Sequence, residues 1–172
     1  MTLLQKLFSK NKKSPAFTLV EIVAVLFIIS IGLLGVVSLL IQNIRSQSIN
    51  KNGVIAYQLA QEGIELVRKT RDTNWKNEPN WNENLATGDY YMDYTHSIPQ
   101  VLNSPTDARL FYNASGFYDH NSSGESTIFN RVIKLVDLDV DTIGVKVEIS
   151  WGDRDRQHTY TLDTILYNWW GI

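Results

Sequence analysis

Hydrophobic and polar positions change their period twice along this chain. From Ile22 to Ile41 there are 20 consecutive residues without a charge, broken only by Ser30, Gly32, Gly35 and Ser38. At about 1.5 Å of rise per residue, a helix of this length covers about 30 Å, one bilayer hydrocarbon core. Beyond Arg45 the pattern becomes amphipathic: Ala56, Ala60, Gly63 and Val67 recur at three- and four-residue spacing, with Ile55, Leu59 and Leu66 alongside. A face so small and apolar predicts packing on a sheet. Glu65 with Lys69 and Arg68 with Asp72 add i,i+4 pairs on the solvent side. Asn50 to Gly53 has poor helix propensity and marks a place for a kink or thinning, yet no proline falls between Pro15 and Pro79. One helix from about Phe17 to Arg71 is predicted.

The period then shortens to two. Asn74 to Asn84 holds five asparagines, Trp75, Trp81 and Pro79, and reads as a loop whose tryptophans either form a recognition surface or fold back over a helix–sheet seam. Tyr90 to Ser97 and Asn130 to Val136 are candidate strands. Val145, Val147, Ile149 and Trp151 alternate with Lys146, Glu148 and Ser150; Tyr160, Leu162, Thr164 and Leu166 alternate again after the polar turn Gly152 to Gln157, which predicts an antiparallel hairpin. Trp169 and Trp170 close the pattern. One long helix followed only by strands gives an α+β unit, with the sheet packed on the outer half of the helix.

Charge gives the apolar run a direction. Lys6, Lys10, Lys12 and Lys13 precede it with no acid before Glu21, so the positive-inside bias keeps Met1 to Ala16 in the cytoplasm and sends the remainder outward. A secretory signal places its small-residue cleavage site after the apolar region; here the candidate processing point comes before it. Glu21 is the anomaly, because charges within a bilayer are costly and usually functional. Either it snorkels to the cytoplasmic interface, being about one turn into the apolar region, or it meets a cationic partner. Gly32, Gly35 and Ala24 would permit close approach of neighbouring helices. Beyond Ala16 there are 12 basic and 18 acidic residues, a side-chain charge of −6 that suggests no nucleic-acid binding by bulk charge. The chain has no cysteine, so an exported head must rest on its core without disulfides.

The order of basic leader, small residue, Phe17-Thr18-Leu19-Val20-Glu21 and apolar run resembles the prepilin signal of type IV pilins and related pseudopilins. The resemblance implies a cut between Ala16 and Phe17 by a membrane prepilin peptidase, methylation of the new N-terminus at Phe17, and Glu21 as the fifth mature residue, facing the amine of a neighbouring subunit's Phe17. The family's usual residue before the cut is glycine; here it is Ala16. Many pilins also carry a disulfide-bounded loop, which this chain lacks. The string Ala60 to Arg68, ending in Arg71-Asp72-Thr73-Asn74-Trp75, looks like a feature of minor pilins. The implied organisation is a cytoplasmic leader at 1–16, a transmembrane and assembly helix at 17–44, and an extracytoplasmic head of pilin fold at 45–172. Within that head the amphipathic helix would cover about 45–72 and the sheet about 88–170. The implied partners are prepilin peptidase, other pilin subunits and the inner-membrane assembly machinery. The implied location is the cytoplasmic membrane, as a single-pass protein with its N-terminus inside, and then an extracellular filament.

The remaining candidate chemistry is sparse. His96, His120 and His158 are dispersed and match no metal or triad spacing, and there is no phosphate loop. No enzyme activity and no obligatory cofactor are expected. Two acidic stretches are candidates for calcium: Asp119, Asn121, Ser123 and Gly124 follow the first half of an EF-hand loop but reach Asn130 at the twelfth position, and Asp137, Asp139 and Asp141 reach Glu148 there with Thr142 in place of the turn glycine. Both also read as acidic turns that remain solvated. The expected function is a structural subunit, a minor pilin. The alternatives are a pseudopilin of type II secretion or DNA uptake, and an extracytoplasmic binding domain on an uncleaved anchor.

Overall fold

The computed structural model describes residues 17–77, 80–153 and 156–169. Its first element, α1, is a 59-residue helix over Leu19–Asn77. Helical pairing continues through Asn50–Gly53; once a helix is nucleated by good formers on both sides, a short stretch of poor propensity does not interrupt it. The helix also ends later than Arg71, so Asn74 and Trp75 are helical and not in a loop. Asn74 explains the extension. It is buried, and its Nδ2 donates to the Trp81 and Glu83 carbonyls at 3.1 and 2.7 Å, tying the returning chain to the last turn.

Contacts divide the chain into two compact units, residues 1–46 and 47–172. In the first, the described part of α1 exposes every large apolar side chain from Leu19 to Ile44. In the second, seven antiparallel strands follow the helix among the described residues: β1 (Gly88–Tyr91), β2 (Gln100–Val101), β3 (Arg109–Tyr112), β4 (Tyr118–Asp119), β5 (Glu125–Asp139), β6 (Thr142–Asp153) and β7 (Arg156–Tyr167). Strand β5 is the spine. One side of it pairs with β1 at Ile133 to Leu135 and with β3 at Glu125 to Asn130; the other side pairs with β6 from Phe129 to Asp139. β2 and β4 close one margin of the sheet and β7 the other.

The expected face of α1 meets this sheet. Ala56, Leu59, Ala60, Gly63 and Val67 are buried with Ile133, Leu135, Val145, Val147 and Ile149. Gly63 sets the separation: a Cβ there would lie 2.9 Å from Val147 Cγ1 and 3.5 Å from Arg131 Cδ, so a larger residue would push helix and sheet apart.

Several local expectations are corrected. Arg68 pairs with Glu65 and Arg71 with Asp72, so neither i,i+4 pair forms; exposed long side chains choose among partners separated by little free energy. Of the Tyr90–Ser97 region only Tyr90 and Tyr91 lie in a strand, the end of β1, because Asp93 turns the chain beyond it. β5 is longer than Asn130–Val136. The alternation of β7 exists, but only Leu166 is fully buried, since the strand lies at the sheet margin. Trp170 and part of the Gly152–Gln157 turn lie outside the described residues.

Candidate functional site

Thr18 opens α1. Its carbonyl accepts from the Glu21 and Ile22 N–H groups at 3.1 and 3.2 Å, and its Oγ1 accepts from the Glu21 N–H at 3.3 Å. Thr18 is therefore the N-cap and Glu21 the third helical residue, in the Thr-x-x-Glu spacing of a capping box. That spacing was present in the sequence as a signal for the helix start, independent of any assembly role. The Glu21 carboxylate is exposed and, among the described residues, has no ion pair or side-chain hydrogen bond. It sits where the positive end of the helix dipole favours an anion.

The segment that follows suits hydrocarbon. The helix contains an 18-residue window of mean hydropathy 2.9, long and apolar enough to cross a membrane. Ser30 Oγ donates to the Leu26 carbonyl at 2.7 Å, so its hydroxyl is satisfied within the helix. At Gly32 and Gly35 an added Cβ would meet nothing within 4 Å, which leaves two shallow notches on an otherwise bulky apolar surface. Ala16, the expected residue before the cut, lies outside the described residues; Phe17 is exposed just ahead of the helix.

A family model described as the prokaryotic N-terminal methylation motif matches residues 11–37. The chain carries a type IV pilin-like prepilin signal. That signal covers the end of the basic leader, Phe17 to Glu21 and most of the apolar run, and it is the kind that prepilin peptidase processes. Together with one long apolar helix and an antiparallel sheet packed on its C-terminal part, it agrees with an α+β pilin fold. No curated protein and no solved structure matches the chain.

The other candidate residues are explained locally. Asp119 is buried; its Oδ1 accepts from the Asn121 N–H at 3.1 Å and its Oδ2 from Asn113 Nδ2 at 2.8 Å, while Asn121 Oδ1 accepts from the Ser123 N–H. Gly124 is required by close approach, since a Cβ would lie 2.9 Å from the Tyr112 carbonyl oxygen. Asp137 lies in β5 opposite Ile143, Asp139 Oδ1 accepts from the Val140 N–H, and Asp141 Oδ1 accepts from Asn168 Nδ2 at 2.9 Å. Glu148 pairs with Lys134 at 3.1 Å. Among the described residues no group of three or more His, Asp or Glu side chains is arranged to hold a metal. Trp81 packs against the core, and Trp75 lies under the Arg71 guanidinium at 4.4 Å with its Nε1 donating to Asn168, so both tryptophans cover structure.

Two histidines that looked dispersed converge on one carboxylate. Asp93, 1% exposed, accepts at Oδ1 from the Thr95 N–H, the Thr95 hydroxyl and His96 Nδ1, and at Oδ2 from the His120 N–H at 2.7 Å. The Tyr91 ring lies edge-on to both imidazoles. Burial alone would raise the Asp93 pKa, but the hydrogen bonds from Thr95 and His120 and the charge of His96 outweigh it and hold the carboxyl down at about 2. His120 is pushed down to about 4, chiefly by burial and then by the Arg131 charge, against the opposing pull of Asp93.

These shifts give acid sensitivity a direction. Unfolded His120 takes its proton near its ordinary value of 6.5, whereas folded His120 resists until about 4, so stability should fall as pH drops from 6.5 to 4. The Asp93 contribution is present above its ordinary 3.8 and is lost as pH falls towards 2. Between pH 7 and 4 the melting curve of the wild type should lose about 1–3 kcal/mol on this account. His120→Gln should flatten the 6.5-to-4 limb and leave the lower limb; an unchanged limb would assign it to other groups.

Proposed function

We propose that this chain is a structural subunit of a type IV pilus or related filament, a minor pilin. Its basic leader Met1 to Ala16 stays in the cytoplasm, prepilin peptidase cuts between Ala16 and Phe17, and Phe17 becomes the methylated N-terminus. Ile22 to Ile41 holds the precursor in the membrane and later packs among the helices of other subunits, with the head outside. Glu21 is the assembly carboxylate, paired with the Phe17 amine of a neighbour. The observation that carries this reading is the methylation motif over residues 11–37, joined to a capped helix whose Glu21 carboxylate has no partner in the described chain. Two further features support it. The apolar part of α1 is exposed along its length, as a helix that exchanges lipid for other helices must be, and His96 Nδ1 and the His120 N–H are engaged at Asp93 within the head. Neither enzyme activity nor a cofactor belongs to this reading.

The test is processing. Expression with the cognate prepilin peptidase, followed by intact mass and N-terminal analysis, should show loss of Met1 to Ala16 and one methyl group on Phe17. A chain that keeps its leader under conditions in which a glycine-containing control prepilin is cut would overturn the proposal.

A further inference from the structure

Two stretches of the chain have the Asn-x-Ser order of an N-glycosylation acceptor, Asn113-Ala114-Ser115 and Asn121-Ser122-Ser123, and neither has proline at its middle position. They flank β4 in the head, the first in the loop from β3 and the second in the turn to β5. Their asparagine side chains fold the backbone alike. Asn113 Oδ1 accepts from the Ser115 N–H at 3.0 Å, and Asn121 Oδ1 accepts from the Ser123 N–H at 3.1 Å. Each is an Asx turn, which brings the carboxamide up against the residue that carries the hydroxyl.

The amide nitrogen, the atom that a glycan joins, separates the two. Asn113 Nδ2 uses both of its hydrogens, donating to the Tyr94 hydroxyl and to Asp119 Oδ2, each at 2.8 Å. Asp119 is buried, so a sugar on Asn113 would take a donor from a carboxylate that water scarcely reaches. Asn121 is exposed, and its Nδ2 has no partner among the described residues. Its backbone is held from both sides, because its N–H donates to Asp119 Oδ1 at 3.1 Å and its carbonyl accepts from the Gly124 N–H at 3.1 Å. Asn121 therefore opens a four-residue turn with Ser122 and Ser123, both exposed, at its tip.

We propose that Asn121 is an N-glycosylation site and that Asn113 is not. The donor is an oligosaccharide carried on a polyprenyl diphosphate in the same membrane, and a membrane glycosyltransferase supplies the catalysis. Asn121 Nδ2 attacks C1 of the first sugar. The N–C1 bond forms, the bond from C1 to the diphosphate oxygen breaks, and the polyprenyl diphosphate leaves with the bonding electrons. The amide nitrogen gives one of its two protons to a base of the transferase. Oδ1 takes no part in the new bond, so the Asx turn survives the modification. The transfer needs the head on the extracytoplasmic side, and that placement rests on the filament reading.

The full-length protein, purified from the cells that produce it, can be digested with chymotrypsin, which cuts after Phe117 and Tyr118 and so separates the two sequons. Fragmentation of the peptides should place a glycan mass on Asn121 in most chains and leave Asn113 bare. Asn121→Gln and Ser123→Ala should each abolish the glycan, and Ser123→Thr should keep it. Ser123→Ala retains the Asn121 side chain and the backbone N–H that it accepts from, so its near-ultraviolet circular dichroism should match the wild type. An unmodified Asn121, a glycan on Asn113 or on a serine hydroxyl, or a glycan that survives Ser123→Ala would each overturn the assignment. N-terminal mass on the same samples separates the two proposals. A cut and methylated chain with a bare Asn121 overturns glycosylation alone, an uncut leader with a glycan on Asn121 overturns the filament reading alone, and an uncut leader with a bare Asn121 overturns both.

Discussion

Arg131→Ala should be the most destabilising single substitution in the head, lowering unfolding free energy by about 3–5 kcal/mol and the melting temperature by about 10 °C or more. Arg131 lies in β5 with no exposed surface, yet its guanidinium reaches both α1 and the segment just beyond β1. Its Nη1 donates to the Leu59 carbonyl at 3.3 Å and to Glu62 Oε2 at 3.0 Å, both on α1, and its Nη2 donates to the Met92 carbonyl just beyond β1 at 2.5 Å. Burial pulls its pKa down and Glu62 opposes that pull. Truncation would leave a buried carbonyl at Met92 without its donor, open a cavity beside Gly63 and Val147, and remove the positive charge that faces Glu62. Arg131→Met keeps much of the volume and should lose roughly half as much, because Glu62 is 36% exposed and can turn to water. Tryptophan fluorescence during urea unfolding is the suitable readout, since the helical anchor would dominate circular dichroism. A loss below about 1 kcal/mol for Arg131→Ala would show that the guanidinium does not link helix and sheet.

Arg131 also marks the limit of what the sequence reveals. The face Ala56-Ala60-Gly63-Val67 and the alternation Val145-Val147-Ile149-Trp151 were readable because each is periodic, and a period depends only on neighbours along the chain. The packing of one on the other followed from the small residues. Nothing local distinguishes Arg131 from an exposed strand arginine, and its partners are 39 to 72 residues away. The same holds for Asp93 with His120, 27 residues apart. The short strands β3 and β4 were missed because four and two residues carry no detectable period. At the N-terminus the situation is reversed. Thr18-x-x-Glu21 is a purely local capping signal, and the prepilin signal surrounding it obscured that signal. The proposed assembly contact is compatible with it, since the cap uses the Glu21 backbone N–H and leaves its carboxylate free.

That division of roles makes Glu21→Ala an informative change. On the filament reading, the variant should insert in the membrane at least as well as the wild type, because a carboxylate is removed from the edge of the hydrocarbon region. Its leader should still be cut and Phe17 methylated, as the change lies beyond the bond that is cleaved. Incorporation into filaments should nevertheless fall by at least tenfold: the neighbour's Phe17 amine would be buried among apolar helices without an anion, and an unpaired buried charge costs several kcal/mol, with 1.4 kcal/mol equal to each factor of ten. Two companions separate charge from helix capping. Glu21→Gln keeps the length and polarity of the side chain but not the charge, leaves the Thr18 bond to the backbone N–H in place as alanine does, and should fail like alanine. Thr18→Val removes the Oγ1 acceptor at the N-cap, weakens the first turn by about 1 kcal/mol, and should leave incorporation within a few-fold of wild type. If Glu21→Gln assembles normally while Thr18→Val does not, Glu21 serves the helix start and the subunit contact must lie elsewhere on the apolar surface. If all three assemble normally, the helices pack without either group.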